Sequence, residues 1–317
     1  MILNPAARFA KLSAAAGVVV WLLLLPAVTS DARETELIHK VVFFAIFVIV
    51  PLCLSLIAPD EQRGSGLYRL VVLAQPIAAL LTAASFFFQA GPLSALLSSA
   101  WFVLNALIGL MGVLRLWSRR VYPLHELSID AGLLYVAVAG AWLVVYRYGV
   151  QPFDYGETII LLTVVHFHFA GFAAPIIAGL SGRVLARVQR SSRMFGAVVF
   201  ALLAAMPLVA AGITFSPWLG FIGALLITAG LFLLAVLNVR WVIPAINPLA
   251  RRLLLFIAAL SSCSAMVLAC LYAYSLATKT LILDIPTMAM THGLLNAFGF
   301  VTCSLLAWTT FSLKADS

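Results

Sequence analysis

Long apolar runs separated by short polar or basic stretches recur along the whole chain, and ten of them reach the roughly 20 residues a helix needs to cross a bilayer. They lie near 12–29, 38–58, 68–88, 93–116, 130–147, 158–181, 195–214, 218–243, 252–277 and 288–311. None shows the period-two alternation of a barrel strand. Hydrocarbon offers no partner to backbone N–H and C=O groups, so each span must satisfy its own, which a helix does. The pattern therefore predicts an all-α fold, a polytopic transmembrane helix bundle of about ten spans. The connections are too short to fold separately, and residues 1–317 read as a single integral membrane domain.

Composition adds scale to this picture. Hydrophobic residues make up 64% of the chain and charged residues 9%, against about 25% charged in soluble domains. A net charge of +8 would suggest nucleic acid in a soluble protein, but here the basic residues sit between apolar runs, where they set orientation. No nucleic-acid partner is expected; membrane lipids are. Fifteen Lys and Arg residues, from Arg8 and Lys11 through Arg63, Arg115, Arg183 and Arg252 to Lys314, fall in one set of connections, and Arg33, Lys40, Arg147 and Lys279 in the other. Positive residues stay in the cytoplasm, so both termini are expected there. The longest connection is the basic turn from Ser181 to Arg193.

The first run follows Arg8 and Lys11 in the manner of a signal peptide, with "PAVTSDA" as a poor cleavage region. A retained first helix is expected, since its removal would leave nine spans and spoil the charge pattern. Cys53, Cys263, Cys270 and Cys303 all fall in apolar segments without a CxxC pair. They read as packing residues.

Ionisable groups inside a membrane are costly and mark functional sites by default. The sixth run contains "VVHFHFAGFAAP", with Glu157 at its start and His166 and His168 deeper. At about 100° per residue the two imidazoles project about 200° apart, so one regular helix cannot aim both at one metal ion. They are expected to have different partners. His168 shares a face with Glu157, Gly171 and Pro175; His166 shares one with Ala170, Ala173 and Ile177, small enough to admit a neighbouring helix. The last run reads "MTHGLLNAFGFVTC", where His292, Asn296, Gly299 and Cys303 form a narrow stripe. Glu157, His166, His168, His292 and Asn296 are thus the candidate catalytic residues. Phe167, Phe169, Phe172, Phe298 and Tyr272 are the candidate substrate-binding residues, as walls of a dry cavity. Asn105, Gln75 and Tyr274 rank second. Asp154 and Asp284 belong to loops, where water is the default environment, and Glu157 is a proton donor if buried and only a cap if exposed.

Histidine boxes of membrane desaturases, aspartate-rich prenyltransferase motifs and HExxH are absent, and "RGSG" from Arg63 to Gly66 lacks a nucleophile elbow. No metal site and no cofactor is expected.

At "HFHFAGFAAPIIAG" and "THGLLNAFGF" the chain resembles the YndJ-like family of bacterial integral membrane proteins. The likeness covers most of the helical region and is strongest at these blocks, which carry His166, His168, Gly171, His292, Gly293, Asn296 and Gly299. It implies a multi-pass protein of the bacterial inner (plasma) membrane with a shared site. Some members are labelled as transporters, and longer ones carry an additional soluble portion.

Two functions follow as expectations. The first is a membrane enzyme, a cyclase or isomerase, performing acid–base chemistry on a hydrophobic small-molecule substrate, as in cyclisation of an isoprenoid by a terpene cyclase: Glu157 or a protonated histidine gives a proton, phenyl rings shelter the cation, another histidine takes a proton away. The second is a secondary transporter or permease with a midplane histidine site. A proton-coupled carrier needs ionisable groups continuing toward the cytoplasm, and the apolar runs offer almost none in their inner halves.

Overall fold

The structure is a computed structural model that describes residues 4–30, 33–57, 65–190 and 193–309. Arg63, Gly64 and Lys314, which entered the charge and motif readings, lie outside the described residues. Among the described residues ten helices are long and apolar enough to cross a membrane: α1 (Pro5–Leu24), α2 (Arg33–Leu56), α3 (Gly66–Ser85), α4 (Pro92–Trp117), α5 (Leu124–Tyr148), α6 (Glu157–Arg187), α7 (Arg193–Thr214), α8 (Pro217–Ala245), α9 (Leu249–Thr278) and α10 (Ile285–Thr309). Among the described residues there is no strand. The chain is an all-helical, multi-pass membrane protein, and its exposed faces carry residues such as Leu23, Ile77, Phe200 and Leu260, suited to hydrocarbon.

Helix starts follow from local chemistry. Asn4 accepts the Ala6 N–H at 3.0 Å ahead of Pro5, so α1 begins earlier than hydropathy alone indicates. Asp284 accepts the Thr287 N–H at 2.8 Å ahead of α10; the Thr287 side chain and then its N–H hold the Asp284 carboxyl below its ordinary pKa. Pro92 and Pro217 occupy first-turn positions, where a missing N–H costs nothing.

Two elements correct the sequence reading. The fifth helix starts at Leu124, because the polar segment before Asp130 is helical and its carboxylates find arginine partners. The expected basic turn from Ser181 is helix as far as Arg187.

The described residues fall into two compact units. Unit 1 contains those of Met1–Val121 and Asp130–Ala173; unit 2 contains those of Tyr122–Ile129 and Ala174–Ser312.

In unit 1, α1 turns Ala7, Ala10, Ala14 and Gly17 inward, and a Cβ on Gly17 would overlap the Phe47 carbonyl of α2. α2 is the most enclosed span. It widens into a π-helical stretch at Ala45–Ile49, where Gln75 Nε2 of α3 donates to the Ile46 carbonyl at 2.9 Å and Ser13 Oγ of α1 donates to Gln75 Oε1 at 2.8 Å. A π turn leaves carbonyls without ordinary helical partners, and a buried glutamine satisfies this one. α4 and α5 approach through glycines: a Cβ on Gly140 would press on Phe102 and Asn105, and one on Gly112 on the Asp130 carbonyl.

Unit 2 is assembled mostly by small residues. A Cβ on Gly212 of α7 would overlap the Gly220 backbone of α8, and one on Gly299 of α10 would overlap Ser261 of α9. Thr228 Oγ1 of α8 lies 3.1 Å from Cys270 Sγ of α9. The opening of α5 meets the second half of α6 through Ser128 Oγ, which donates to the Pro175 carbonyl at 2.7 Å, and through an Arg183–Glu126 ion pair at 2.6 Å.

Candidate functional site: a buried polar row in unit 1

Helix α4 places Ser94, Ser98, Trp101, Asn105, Ile108, Gly112 and Arg115 at alternating spacings of four and three, all but the terminal arginine buried. Such spacing keeps side chains on one face. From Ser94 to Arg115 the row rises about 32 Å, at about 1.5 Å per residue. That matches the roughly 30 Å of a bilayer's hydrocarbon core.

One end of the row is a cationic cluster. Arg147, near the end of α5 and 7% exposed, donates from Nη2 to the Ser85 carbonyl at 2.8 Å, the Phe88 carbonyl at 2.7 Å and Ser94 Oγ at 3.3 Å. Its guanidinium lies 4.7 Å above the centre of the Phe86 ring. The neighbouring Tyr146 hydroxyl is 2.6 Å from Nε2 of His39 on α2. The Gly91 N–H donates to the Arg147 carbonyl at 2.9 Å, and Gly91 adopts φ 156°, open to glycine and strained for other residues. This turn fastens the start of α4 to the end of α5. Arg147 therefore corrects the sequence reading, which counted it among loop charges.

At mid-row, His168 of α6 is fully buried. Its Nδ1–H donates to the Val164 carbonyl at 2.8 Å, and Nε2 accepts the Trp101 indole N–H at 3.0 Å. The carbonyl can only accept, so Nδ1 carries the hydrogen and the neutral ring is fixed in that tautomer. An imidazolium would have to give up the indole, because two N–H groups cannot bond each other. The rings also stack, with centroids 6.0 Å apart and planes 26° apart. One turn further on, Asn105 is fully buried and neither amide atom has a hydrogen-bond partner among the described residues.

The other end is anionic and paired. Asp130 of α5 is fully buried and accepts from Arg115 Nε at 2.7 Å and from Arg119 Nη1. This buried carboxylate stands at the position where the fifth apolar run was taken to begin.

The remaining predicted residues are distributed as follows. Glu157 is exposed in the first turn of α6, where its charge complements the helix dipole. His166 is exposed, with Nδ1 2.7 Å from the Leu162 carbonyl. Ala173 and Ile177, expected on its face, are fully buried. The helix is π-helical over Phe167–Ala173, and the wider turn shifts the phase of everything after it. The two imidazoles do have different partners. Phe167, Phe169 and Phe172 are buried in unit 1, and Phe167 meets Tyr135 edge-on at 6.1 Å.

His292, Asn296, Phe298 and Tyr272 belong to unit 2, all half-buried. His292 Nδ1–H donates to the Ala265 carbonyl of α9 at 2.8 Å. Asn296 Nδ2 donates to the His292 carbonyl at 3.1 Å and stands 3.3 Å from both ring nitrogens. Equal separation from both nitrogens sets the amide over the ring face. Both residues lie in π-helical stretches, Ala289–Gly293 and Leu295–Thr302. Of the second-ranked residues, Gln75 and Asn105 are buried and Tyr274 is exposed.

Sequence reading missed His39, Trp101, Asp130, Tyr146 and Arg147. The alternating spacing on α4 was the available signal for Trp101; the others sit near span ends, where water is the default assumption.

A family model described as YndJ-like protein matches residues 40–300. A Bacillus subtilis (strain 168) protein described as uncharacterized membrane protein YndJ is 27% identical over 309 residues, covering 95% of this chain and 54% of that relative. The chain thus spans about half the length of that relative. No solved structure matches. With a match that takes in α3 to α9 whole and most of α2 and α10, the chain belongs to the YndJ-like family.

Proposed function

We propose that this chain is a carrier of the bacterial plasma membrane that passes a small polar solute or a proton through the interior of unit 1, with His168 at the midpoint. The observation that carries this reading is the row on α4, which holds Ser94, Ser98, the Trp101 indole, Asn105 and Gly112 among the apolar Leu104, Ile108 and Met111 and is closed by Arg147 at one end and Asp130 at the other. Buried charge contributes little to packing a membrane helix, so two such groups on one path support a role in moving something. On the orientation expected from loop charges, Arg147 faces the extracytoplasmic side and Asp130 the cytoplasm. The Trp101–His168 hydrogen bond is then a closed point on the path, and a proton arriving at Nε2 opens it.

Purified protein in proteoliposomes, with internal pH and solute uptake followed after an imposed proton gradient, tests the carrier. Flux above that of empty vesicles is expected, and Asn105→Leu, which fills the row with an apolar side chain, is expected to reduce it about tenfold or more. Vesicles no leakier than the empty control would overturn the reading.

A second reading rests on His292. Its Nδ1–H is committed to Ala265, which leaves the lone pair on Nε2, the polarity of a base. That supports acid–base chemistry, cyclisation or isomerisation, on a lipid-soluble substrate. Cyclised or isomerised product from an isoprenoid, without flux, would favour it over the carrier.

A further inference from the structure

Arg147 is a buried cation whose hydrogen-bond partners are all neutral: two carbonyls and a serine hydroxyl. Among the described residues no carboxylate forms an ion pair with it, and its buried Nε has no acceptor. The Phe86 and Tyr146 rings, at 4.7 and 5.8 Å, offset only part of that charge. Buried charges in proteins are as a rule paired, because desolvation is too costly otherwise. Asp130 at the opposite end of the same row has two arginines. Arg147 has none of the corresponding compensation.

Beside it lies a cavity of about 70 Å³, walled by Arg147, His39, Thr29, Phe86 and Phe87. His39 has committed one ring nitrogen to Tyr146; Nδ1 has no hydrogen-bond partner among the described residues. The cavity therefore brings together the fixed positive charge of the Arg147 guanidinium, a second imidazole nitrogen and a hydroxyl, between two aromatic walls. Water can satisfy the N–H groups but not the charge. A neutral solute fails in the same way, and a cation is repelled.

We propose that this cavity binds a small oxyanion, a carboxylate or a phosphate group, with Arg147 supplying the charge and His39 and Thr29 fixing its orientation. The cavity has room for a group of that kind. Such a group comes either from a free solute or from the headgroup of an anionic phospholipid. As a statement of what is carried, this rests on the carrier reading; as a statement of what is bound, it stands without it.

The test uses the full chain in neutral detergent, with thermal unfolding and calorimetric titration against sodium acetate and inorganic phosphate, and chloride at matched ionic strength as control. A parallel arm compares nanodiscs of phosphatidylglycerol with nanodiscs of phosphatidylcholine. Saturable stabilisation by acetate or phosphate beyond the chloride control supports a free solute; stabilisation by phosphatidylglycerol alone supports the same oxyanion site with lipid as the source. Arg147→Gln is expected to weaken binding about tenfold or more, the loss of one charge-assisted hydrogen bond. Because Arg147 also ties down Ser85 and Phe88, that variant can fail to fold. Thr29→Val, on the wall and outside that network, is then decisive, with a several-fold loss expected at unchanged thermal stability without ligand. No saturable response to either free anion or to phosphatidylglycerol overturns the proposal, as does binding unaltered in both variants. Binding without flux in proteoliposomes leaves the site standing and removes the carrier; flux without binding does the reverse.

Discussion

Helix α4 of unit 1 and helix α8 of unit 2 are both long enough to cross a membrane, yet their buried faces differ in kind. α4 buries Ser94, Ser98, Trp101 and Asn105 alongside Leu104, Ile108 and Met111; α8 buries Gly223, Ala224, Ile227, Gly230, Leu231 and Leu234 and, near its end, Asn238. In hydrocarbon, apolar burial gives helices little reason to associate, because lipid tails are as apolar as leucine. Association must come from close backbone contact or from polar bonds. Unit 2 relies mostly on the first, through Gly212 with Gly220 and Gly299 with Ser261, beside polar bonds such as Ser128 to the Pro175 carbonyl and His292 to the Ala265 carbonyl. Unit 1 uses both, and adds Arg147 and Asp130, which good packing does not require. The contrast is what supports placing the proposed path in unit 1, because buried charge inside a membrane is costly to stability.

The most damaging change predicted is Asp130→Ala. It strands Arg115 and Arg119 against a buried site, and breaking such a pair costs about 3 kcal/mol where, as here, the arginines keep some contact with solvent. A fall in thermal unfolding temperature of the purified protein, with Asp130→Asn intermediate, checks it; a stable alanine variant would show that the pair contributes little. Next comes Gly212→Ala in unit 2, an overpacking of α7 on α8 that should cost about 1–3 kcal/mol. If flux or ligand binding through unit 1 disappears together with unit 2's stability, the proposed division of labour is lost.

Third is the pair His168→Ala and His166→Ala. The first leaves the Trp101 N–H buried without an acceptor and should cost about 1–3 kcal/mol. The second removes an exposed ring and should stay within about 0.5 kcal/mol. Equal losses at both positions would contradict the burial described for α6. A similarly small effect is predicted for His292→Ala, about 0.6 kcal/mol, the usual contribution of one interhelical hydrogen bond in a membrane. If this variant nonetheless abolished a measured activity at unchanged stability, the base-chemistry reading would gain over the carrier.

The sequence was most informative about what solvent dictates. Ten apolar runs could satisfy their backbone only as helices, and ten such helices are observed among the described residues. The opposed directions of His166 and His168 were also legible, from helical pitch alone. The packed face of His166 was not, because the π-helical stretch from Phe167 changes the phase, and no local residue preference announces it. Asp130, His39 and Arg147 escaped notice because a charged residue near the end of an apolar run looks the same whether it projects into water or folds back among neighbours.

Hydropathy and spacing alone determined the fold class, the number of spans and which faces could be apolar, since these depend on each segment's own contact with lipid. Tertiary structure decided which polar side chains share an interior. Trp101 meets His168 across 67 positions of chain, and Arg147 meets Ser94 across 53. A hydrogen bond is made at about 3 Å whatever the sequence separation, so only the packing of helices could bring those groups within reach.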